Sequence, residues 1–187
     1  MLTTAREIYA RGWQSIKLYF MIGQPGETLE DVQAIADLAK SVIVEGRKVI
    51  GKRANLHVGI STFVPKPHTP FQWASLDPLL TVLEKQNLLK DQLRGPGMKM
   101  TWSNPRETIL EATLSRGDRN LAEVIETAWR NGAKFDAWQD QFNYNIWMDA
   151  FDAHGIKPEF YTSRKRDINE VFPWDHIHTG VNRKYLQ

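Results

Sequence analysis

Residues 15–28 read SIKLYFMIGQPGET, an apolar run that ends in a turn rich in glycine and proline. Apolar side chains fill almost every position from 15 to 22, which predicts a strand covered on both faces. The turn at 23–26 ends this strand, and Thr28 with Asp31 has the spacing of a helix cap. Apolar residues then recur at helical spacing as far as Ile43, so a strand is followed by an amphipathic helix.

A second strand is predicted at 55–64, where Leu56, Val58 and Ile60 lie on one side. A basic connection at 46–53, interrupted by glycine, separates this strand from the preceding helix. A strand, a helix and a strand form a βαβ unit, and a right-handed crossover joins parallel strands. The sequence therefore predicts an α/β fold with a parallel sheet and helices packed on its faces.

Local signals predict further elements on both sides of this unit. Thr4 and Glu7 have capping-box spacing for a first helix from about Ala5. The others are a helix from Asp77-Pro78 to about Arg94, a short strand at 98–103, helices from Pro105, Asp118 and about Ala137, and an ordered extended tail at 157–187. Because the chain turns helical after Ser103, we predict two domains, residues 1–103 and 104–187.

Composition excludes several classes of protein. The 187 residues are 42% apolar and 25% charged, which excludes disorder, and a net charge of +2 identifies no partner. No run approaches about 20 apolar residues and no signal-peptide core is present, so we expect a cytoplasmic chain without a membrane partner. The chain has no cysteine, which excludes disulfides, cysteine zinc sites and iron–sulfur clusters held by its own thiolates.

Two loops carry the residues most suited to bind a ligand. The first is the turn at 23–28, where glycines allow close approach of the backbone, and the second is the proline-rich loop at 65–70. Lys66, His68 and Thr69 place a cation, a titratable ring and a hydroxyl on that second loop. If the two strands are neighbours, both loops lie at one carboxyl edge, where α/β proteins bind ligands. A tight turn and a stiff structural loop remain the alternatives.

The sequence also resembles a known family. Residues 17–28, KLYFMIGQPGET, resemble the fifth-strand motif of radical S-adenosylmethionine (radical SAM) enzymes, in which an apolar strand ends in Gly-x-Pro-Gly-Glu-Thr. Three later segments, FVPKPHTPFQW at 63–73, SRGDR at 115–119 and FPWDHI at 172–177, are similar to an uncharacterised radical SAM family. Members of that family resemble cobalamin-dependent radical SAM proteins and tRNA methylthiotransferases in their barrel.

This resemblance implies the later part of a partial TIM-type barrel, followed by a mainly helical extension. It implies that the chain contributes part of an S-adenosylmethionine and substrate site, in a full-length protein that also carries a [4Fe–4S] cluster. The residues expected to line the cofactor are Gly23, Pro25, Gly26, Glu27, Ser61, Phe63 and Pro65. Lys66, His68 and Thr69 are the candidate catalytic residues, and no metal ligand is expected.

The chain departs from the family at two points. Relatives carry a large apolar residue where this chain has Gln24. The Cys-x-x-x-Cys-x-x-Cys loop that holds the cluster in the family has no counterpart, because the chain has no cysteine. It therefore looks like the C-terminal portion of a longer polypeptide, whose N-terminal part would be its first partner. Without that part, we expect no catalysis and a tendency to self-associate.

A different function remains open, namely a module that binds another protein or an RNA without catalysis. Weaker motifs have ordinary explanations: Asp118 in Arg116-Gly117-Asp118 predicts a helix cap, and His176 with His178 lacks a third metal ligand. Trp138, Phe142, Ile146 and Phe151 recur near helical spacing and predict core positions.

Overall fold

The computed structural model describes residues 1–187 and divides into two units. The first unit comprises residues 1–63 and 79–103, and the second comprises residues 64–78 and 104–187. The chain passes from the first unit to the second after Ser103, where the sequence places a boundary. The structure also assigns 64–78, which contains the proline loop, to the second unit.

The first unit is a mixed α/β structure with a parallel sheet. Its elements are α1 (Leu2–Ala10), β1 (Ser15–Ile22), α2 (Leu29–Ile50), β2 (Asn55–Thr62), α3 (Leu79–Gln92) and β3 (Met98–Trp102). The three strands lie in the order β1-β2-β3, and both pairs are parallel. The α/β class, the parallel pairing and the short third strand are confirmed.

The core of this unit lies on one face of the sheet. Ile16, Leu56 and Met98 form one row across the strands, and α1, α2 and α3 pack against that side. The opposite face is open, with Tyr19 73% exposed and Met21 45% exposed. The expectation that β1 is covered on both faces is therefore wrong, because its alternate residues face away from every helix of this unit's core.

Helix α2 begins as the sequence predicts but ends later. Thr28 accepts a hydrogen bond from the Asp31 backbone N–H, and the Asp31 carboxylate accepts one from the Thr28 N–H, which completes a capping box. The helix continues through Gly46, where a connection was expected. A Cβ at this position would lie 2.5 Å from the Tyr9 ring, so only glycine fits here without a shift of the ring. The missing side chain lets α1 approach α2 closely. Helix α1 itself begins at Leu2, ahead of the expected Thr4 cap.

The second unit is mainly helical. Its helices are α4 (Pro105–Arg116), α5 (Leu121–Arg130), α6 (Tyr144–Ala153), α7 (Pro158–Thr162) and α8 (Arg183–Leu186). The helix from Pro105 is confirmed. The helix expected from Asp118 starts at Leu121 with Asn120 at its N-cap, because the Asp118 carboxylate accepts hydrogen bonds from the Asn120 backbone N–H and the Tyr161 hydroxyl.

The helix expected from about Ala137 begins only at Tyr144, and this shift alters the predicted core. Phe151 is buried, and Phe142 and Ile146 pack around the same cluster, as predicted. Trp138 is 62% exposed, because it lies in turns ahead of α6 and so does not share the helical period. The tail is ordered but not extended, since it contains α7, α8 and turns between them. None of the helices has the combination of length and apolar character required to cross a bilayer.

Candidate functional site

Strands β1 and β2 end at the same edge of the sheet. Ile22 and Thr62 are register partners, and the Phe63 backbone N–H donates a hydrogen bond to the Ile22 carbonyl at 2.8 Å. The turn that begins at Gly23 therefore leaves this edge beside Phe63, as two neighbouring parallel strands require.

The turn after β1 depends on backbone conformations that favour glycine. Gly23 has a φ of 87° and Gly26 a φ of 83°, and the Glu27 N–H donates to the Gln24 carbonyl at 3.0 Å. A Cβ on Gly26 would meet no atom within 4 Å. Glycine is needed here for its conformation and not because neighbouring atoms crowd it, which leaves space beside residue 26.

Glu27 locks this turn to α3. Its carboxylate accepts a hydrogen bond from the Gly23 backbone N–H at 2.7 Å and lies 2.8 Å from the Lys85 Nζ. The side chains of Glu27 and Lys85 are only 9% and 5% exposed. The Gly23 N–H and the Glu27 carboxylate therefore both have hydrogen-bond or ion-pair partners within the chain. The prediction that Glu27 lines a cofactor stays a prediction, but the structural role of its carboxylate is evident.

Residues that sequence reasoning missed complete this edge. Ser103 follows β3, and its hydroxyl accepts a hydrogen bond from the Thr62 N–H at 3.0 Å. Gln86 is fully buried on α3 and donates from Nε2 to the Ser103 carbonyl, whereas its Oε1 has no hydrogen-bond partner. The sequence signal that could have identified Gln86 is the presence of a polar residue between Val82 and Leu89 on the apolar side of α3. A buried acceptor without a donor marks a place for a water or a ligand group.

A cleft of about 270 Å³ lies on the open face of the sheet. Tyr19, Gly59, Ser61, Thr101 and Ser103 are among its lining residues. The Tyr19 ring lies over Gly59, where an added Cβ would be 3.2 Å from the ring. Ser61 donates a hydrogen bond to the Phe20 carbonyl at 3.2 Å. The cleft combines an exposed aromatic ring with three hydroxyl side chains.

A basic row crosses the same face below the cleft. Lys17, His57 and Lys99 are register partners on the three strands, and the His57 Nε2 lies 3.2 Å from the Thr101 hydroxyl. Burial, followed by the charges of Lys17 and Lys99, lowers the pKa of His57. This lowered pKa favours the neutral imidazole at pH 7.

The remaining candidate residues belong to the second unit. Pro65 is buried, and Lys66 pairs with Glu111 at 2.5 Å in a largely exposed salt bridge. The Thr69 hydroxyl donates to the Lys66 carbonyl at 2.8 Å and accepts from the Phe71 N–H, so it caps a short 3₁₀ turn at 70–73. The side chains of Lys66 and Thr69 thus make contacts that account for their positions without a ligand.

His68 is held in an unusual conformation. Its φ of 59° lies in the left-handed region, which non-glycine residues seldom adopt and which concentrates at functional sites. The Gln72 Oε1 accepts hydrogen bonds from the His68 backbone N–H at 3.4 Å and from the Trp174 Nε1–H at 2.9 Å. His68 also lines a cavity of about 400 Å³ together with His178 and Arg183.

The FPWDHI segment supports this arrangement from the other end of the chain. Trp174 and Phe172 are buried in one cluster with Trp73, which follows Gln72. The Asp175 carboxylate accepts hydrogen bonds from the Phe172 N–H at 2.8 Å and from the Arg183 guanidinium at 2.5 Å. No three His, Cys, Asp or Glu side chains lie close enough together to hold a metal ion.

Comparisons with known proteins provide one distant relative. The chain is 33% identical over 115 residues to the protein of Methanocaldococcus jannaschii described as "Uncharacterized protein MJ0966". The aligned region is 62% of this chain and 24% of that relative, so the chain spans about a quarter of the relative's length. No protein-family model matches the chain. No solved structure matches it either.

Proposed function

We propose that this chain is part of a radical SAM enzyme and contributes one wall of the S-adenosylmethionine and substrate site. The observation that carries the proposal is the Gly-x-Pro-Gly-Glu-Thr turn at the carboxyl end of β1, beside the end of β2. In α/β folds, ligands bind at this edge of a parallel sheet. The turn and the three later segments resemble radical SAM proteins, and this resemblance is the reason for proposing S-adenosylmethionine as the ligand.

The connectivity of the first unit matches three successive strands of a barrel. The strands follow one another in sequence order, and the core with all three helices of the first unit lies on one side. A TIM-type barrel winds in one direction and carries its helices on the outside. We therefore infer that β1 to β3 are later strands of a partial TIM-type barrel and that its open, polar face is the interior.

The two cofactors fit this chain differently. The [4Fe–4S] cluster does not fit, because the chain offers no thiolate to ligate it. S-adenosylmethionine fits better: the space beside Gly26 and the hydroxyl-lined cleft offer open and polar positions near the strand ends. In the proposed enzyme, cysteines elsewhere in the full-length polypeptide hold the cluster, while this chain helps to orient the adenosyl group.

Among the candidate catalytic residues, His68 is the best supported. Lys66 is paired with Glu111 and Thr69 caps its own loop, whereas His68 lines a cavity and has a positive φ. We propose that His68 contacts the substrate and that Gln72 and Trp174 position it.

An interaction module without catalysis is the second candidate, and one observation favours it. Both β1 and β3 are outer strands with one unpaired edge, next to an open face with exposed aromatic and basic side chains. Such edges pair readily with another chain, and such faces bind single-stranded RNA.

The test uses the native full-length protein, reconstituted anaerobically, with S-adenosylmethionine binding measured by calorimetry. We expect Gly26→Val to weaken binding at least about tenfold, because a β-branched residue resists a positive φ and fills the space beside the turn. Gly132→Val is the matched control, since Gly132 has a φ of 103° and equally open surroundings but lies in the second unit. His68→Ala should bind the cofactor normally and lower substrate turnover.

Three outcomes would contradict the proposal. A full-length protein that binds neither a cluster nor S-adenosylmethionine would favour the interaction module. Unchanged affinity in Gly26→Val would show that the turn does not line the cofactor. Loss of cofactor binding in His68→Ala alone would show that the two loops have been assigned the wrong roles.

A further inference from the structure

The connections that lead into the three strands meet at the amino edge of the sheet, at which all three strands begin. The connection before β1 ends at Gln14, whose carbonyl accepts a hydrogen bond from the Asn55 N–H at 2.8 Å. The connection before β3 ends at Gly97, whose carbonyl accepts one from the Leu56 N–H at 2.7 Å. Because the strands are parallel, this edge is the opposite one from the candidate site.

Cationic side chains without an ion pair gather at this amino edge. The Arg47 guanidinium, near the end of α2, donates to the Pro96 carbonyl in the connection before β3, which places it at the edge. Glu7 precedes Arg11 by one turn but forms no ion pair with it. Four exposed cations of the edge have no carboxylate partner, namely Arg11, Arg47, Lys52 and Arg53.

The acidic side chains of the neighbouring helices are already paired with other cations. Glu45 on α2 pairs with Arg6 and Lys48, and Asp91 on α3 pairs with Arg94. The three connections themselves, RGWQ at 11–14, GKRA at 51–54 and RGPG at 94–97, contain no acidic residue. Positive charge is therefore concentrated at the amino edge, although the net charge of the whole chain is only +2.

The adjoining part of the sheet adds to this charge. Lys17, His57 and Lys99 form the basic row near the start of the strands. Burial and then the charges of Lys17 and Lys99 lower the pKa of His57, and no carboxylate is among these causes. The sheet behind the amino edge therefore does not neutralise the edge.

Trp13 adds an aromatic side chain to the amino edge. It directly precedes Gln14 and lies two positions after Arg11. At 68% exposure it is the most exposed of the seven tryptophans. Its ring makes no aromatic or cation–π contact within the chain. Packing within the chain therefore gives no reason for a large aromatic ring at this position.

We propose that the amino edge binds single-stranded nucleic acid, with phosphates on its unpaired cations and one base stacked on Trp13. Proteins that bind single strands combine a positively charged surface with aromatic rings on which bases stack. An acidic protein segment would match the charge but would leave the indole ring in water, so the nucleic acid fits better. The proposal goes beyond the proposed function, because it concerns the opposite edge of the sheet and holds whether or not the chain is catalytic.

The test measures fluorescence anisotropy of a fluorescein-labelled oligouridine of about 12 nucleotides with the 187-residue chain. About four phosphate contacts predict a slope of about −3 for the logarithm of affinity against that of salt concentration, which is a roughly fiftyfold loss between about 50 mM and about 200 mM salt. The double variant Lys52→Gln/Arg53→Gln should reduce this slope to about half. Arg130→Gln/Lys134→Gln is the matched control, because it removes the same charge from exposed positions in the second unit and should leave the slope unchanged.

Trp13→Ala separates base stacking from charge. This change should weaken binding roughly tenfold without altering the salt dependence, because a stacked base releases no counterions. Trp129→Ala is its control: Trp129 is 59% exposed on α5 in the second unit, and its loss should have no effect. A duplex of the same length should bind more weakly than the single strand, because its bases are already stacked on one another.

Four results would overturn the proposal. No measurable binding at about 50 mM salt, or equal losses in the two double variants, would mean that the amino edge is not the site. Wild-type affinity in Trp13→Ala, or a duplex that binds as tightly as the single strand, would contradict base stacking. Polyglutamate that displaces the labelled strand as effectively as unlabelled oligouridine of equal charge would assign the edge to an acidic protein segment instead.

Discussion

The Glu27–Lys85 pair provides the sharpest prediction for the turn after β1. The two charged atoms are 2.8 Å apart, and the side chains are 9% and 5% exposed. Removing one partner of a buried ion pair typically costs about 3–5 kcal/mol, because the other charge loses a close opposite charge in a desolvated site. In Glu27→Gln the amide oxygen can still accept the Gly23 N–H, which preserves about 1 kcal/mol of hydrogen bonding. We therefore expect a loss of about 3 kcal/mol in the free energy of unfolding.

The assay is urea denaturation followed by circular dichroism, with hydrogen exchange of peptides from β1 and β2 to locate the loss in the first unit. Lys85→Met should cost a similar amount. The double variant should cost less than the sum of the single variants, with a coupling energy of about 2 kcal/mol. Glu126→Gln is the matched control, because Glu126 pairs with Arg130 at 2.6 Å while both side chains are more than half exposed. It should cost less than about 1 kcal/mol.

Two results would refute this reasoning. If Glu27→Gln costs no more than Glu126→Gln, burial does not strengthen the contribution of the pair. If the two single changes are additive, Glu27 and Lys85 do not act on each other and the turn is held by other contacts.

Four further predictions concern the chain as a whole. Iron and sulfide analysis after anaerobic reconstitution should find no stoichiometric cluster, and a stoichiometric one would overturn the ligand argument. Light scattering should detect self-association through the unpaired edges of β1 and β3. A strict monomer over a wide concentration range would contradict this prediction. Gly46→Ala should cost about 1–3 kcal/mol in a urea melt, because its Cβ would meet the Tyr9 ring, and a neutral effect would mean that the ring moves aside easily. The hydrogen bond from Arg164 lowers the pKa of Glu170, so this pair stabilises the folded chain at pH values above the ordinary pKa of 4.5. Its contribution is lost as the pH falls below that value. Glu170→Gln should therefore make the stability depend less on pH in the acid range, and an unchanged pH profile would contradict this.

Local signals predicted most of the first unit correctly. Alternating apolar residues and the Thr28–Asp31 cap depend on contacts within a few residues, so β1, α2 and β2 could be read from the sequence. Gly46 misled the prediction, because glycine is a poor helix former and only the distant Tyr9 ring explains why it lies inside α2. Asp118 misled it as well, because the Tyr161 hydroxyl from a later helix binds the carboxylate that was expected to cap α5.

The candidate site also combines features that the sequence indicates with features that only the fold creates. Positive φ values at Gly23 and Gly26 agree with a turn that the sequence already indicated. The bond from Trp174 to Gln72, which helps to hold the backbone beside His68, joins residues 102 positions apart. The lack of an ion pair at Arg53 was equally hidden, because ion pairing is a property of the folded surroundings and not of the residue type.

By itself, the sequence determined the α/β class, the parallel order implied by a βαβ unit and the absence of any cysteine that could ligate a cluster. These conclusions rest on periodicity, crossover handedness and the absence of cysteine, which do not depend on distant contacts. Only the tertiary structure decided which face of the sheet is open, that Glu27 is locked to Lys85, and that unpaired cations from separate segments meet at the amino edge of the sheet. Each of those facts joins residues far apart in the chain, and their proximity results from the packing of the whole unit, which no local pattern encodes.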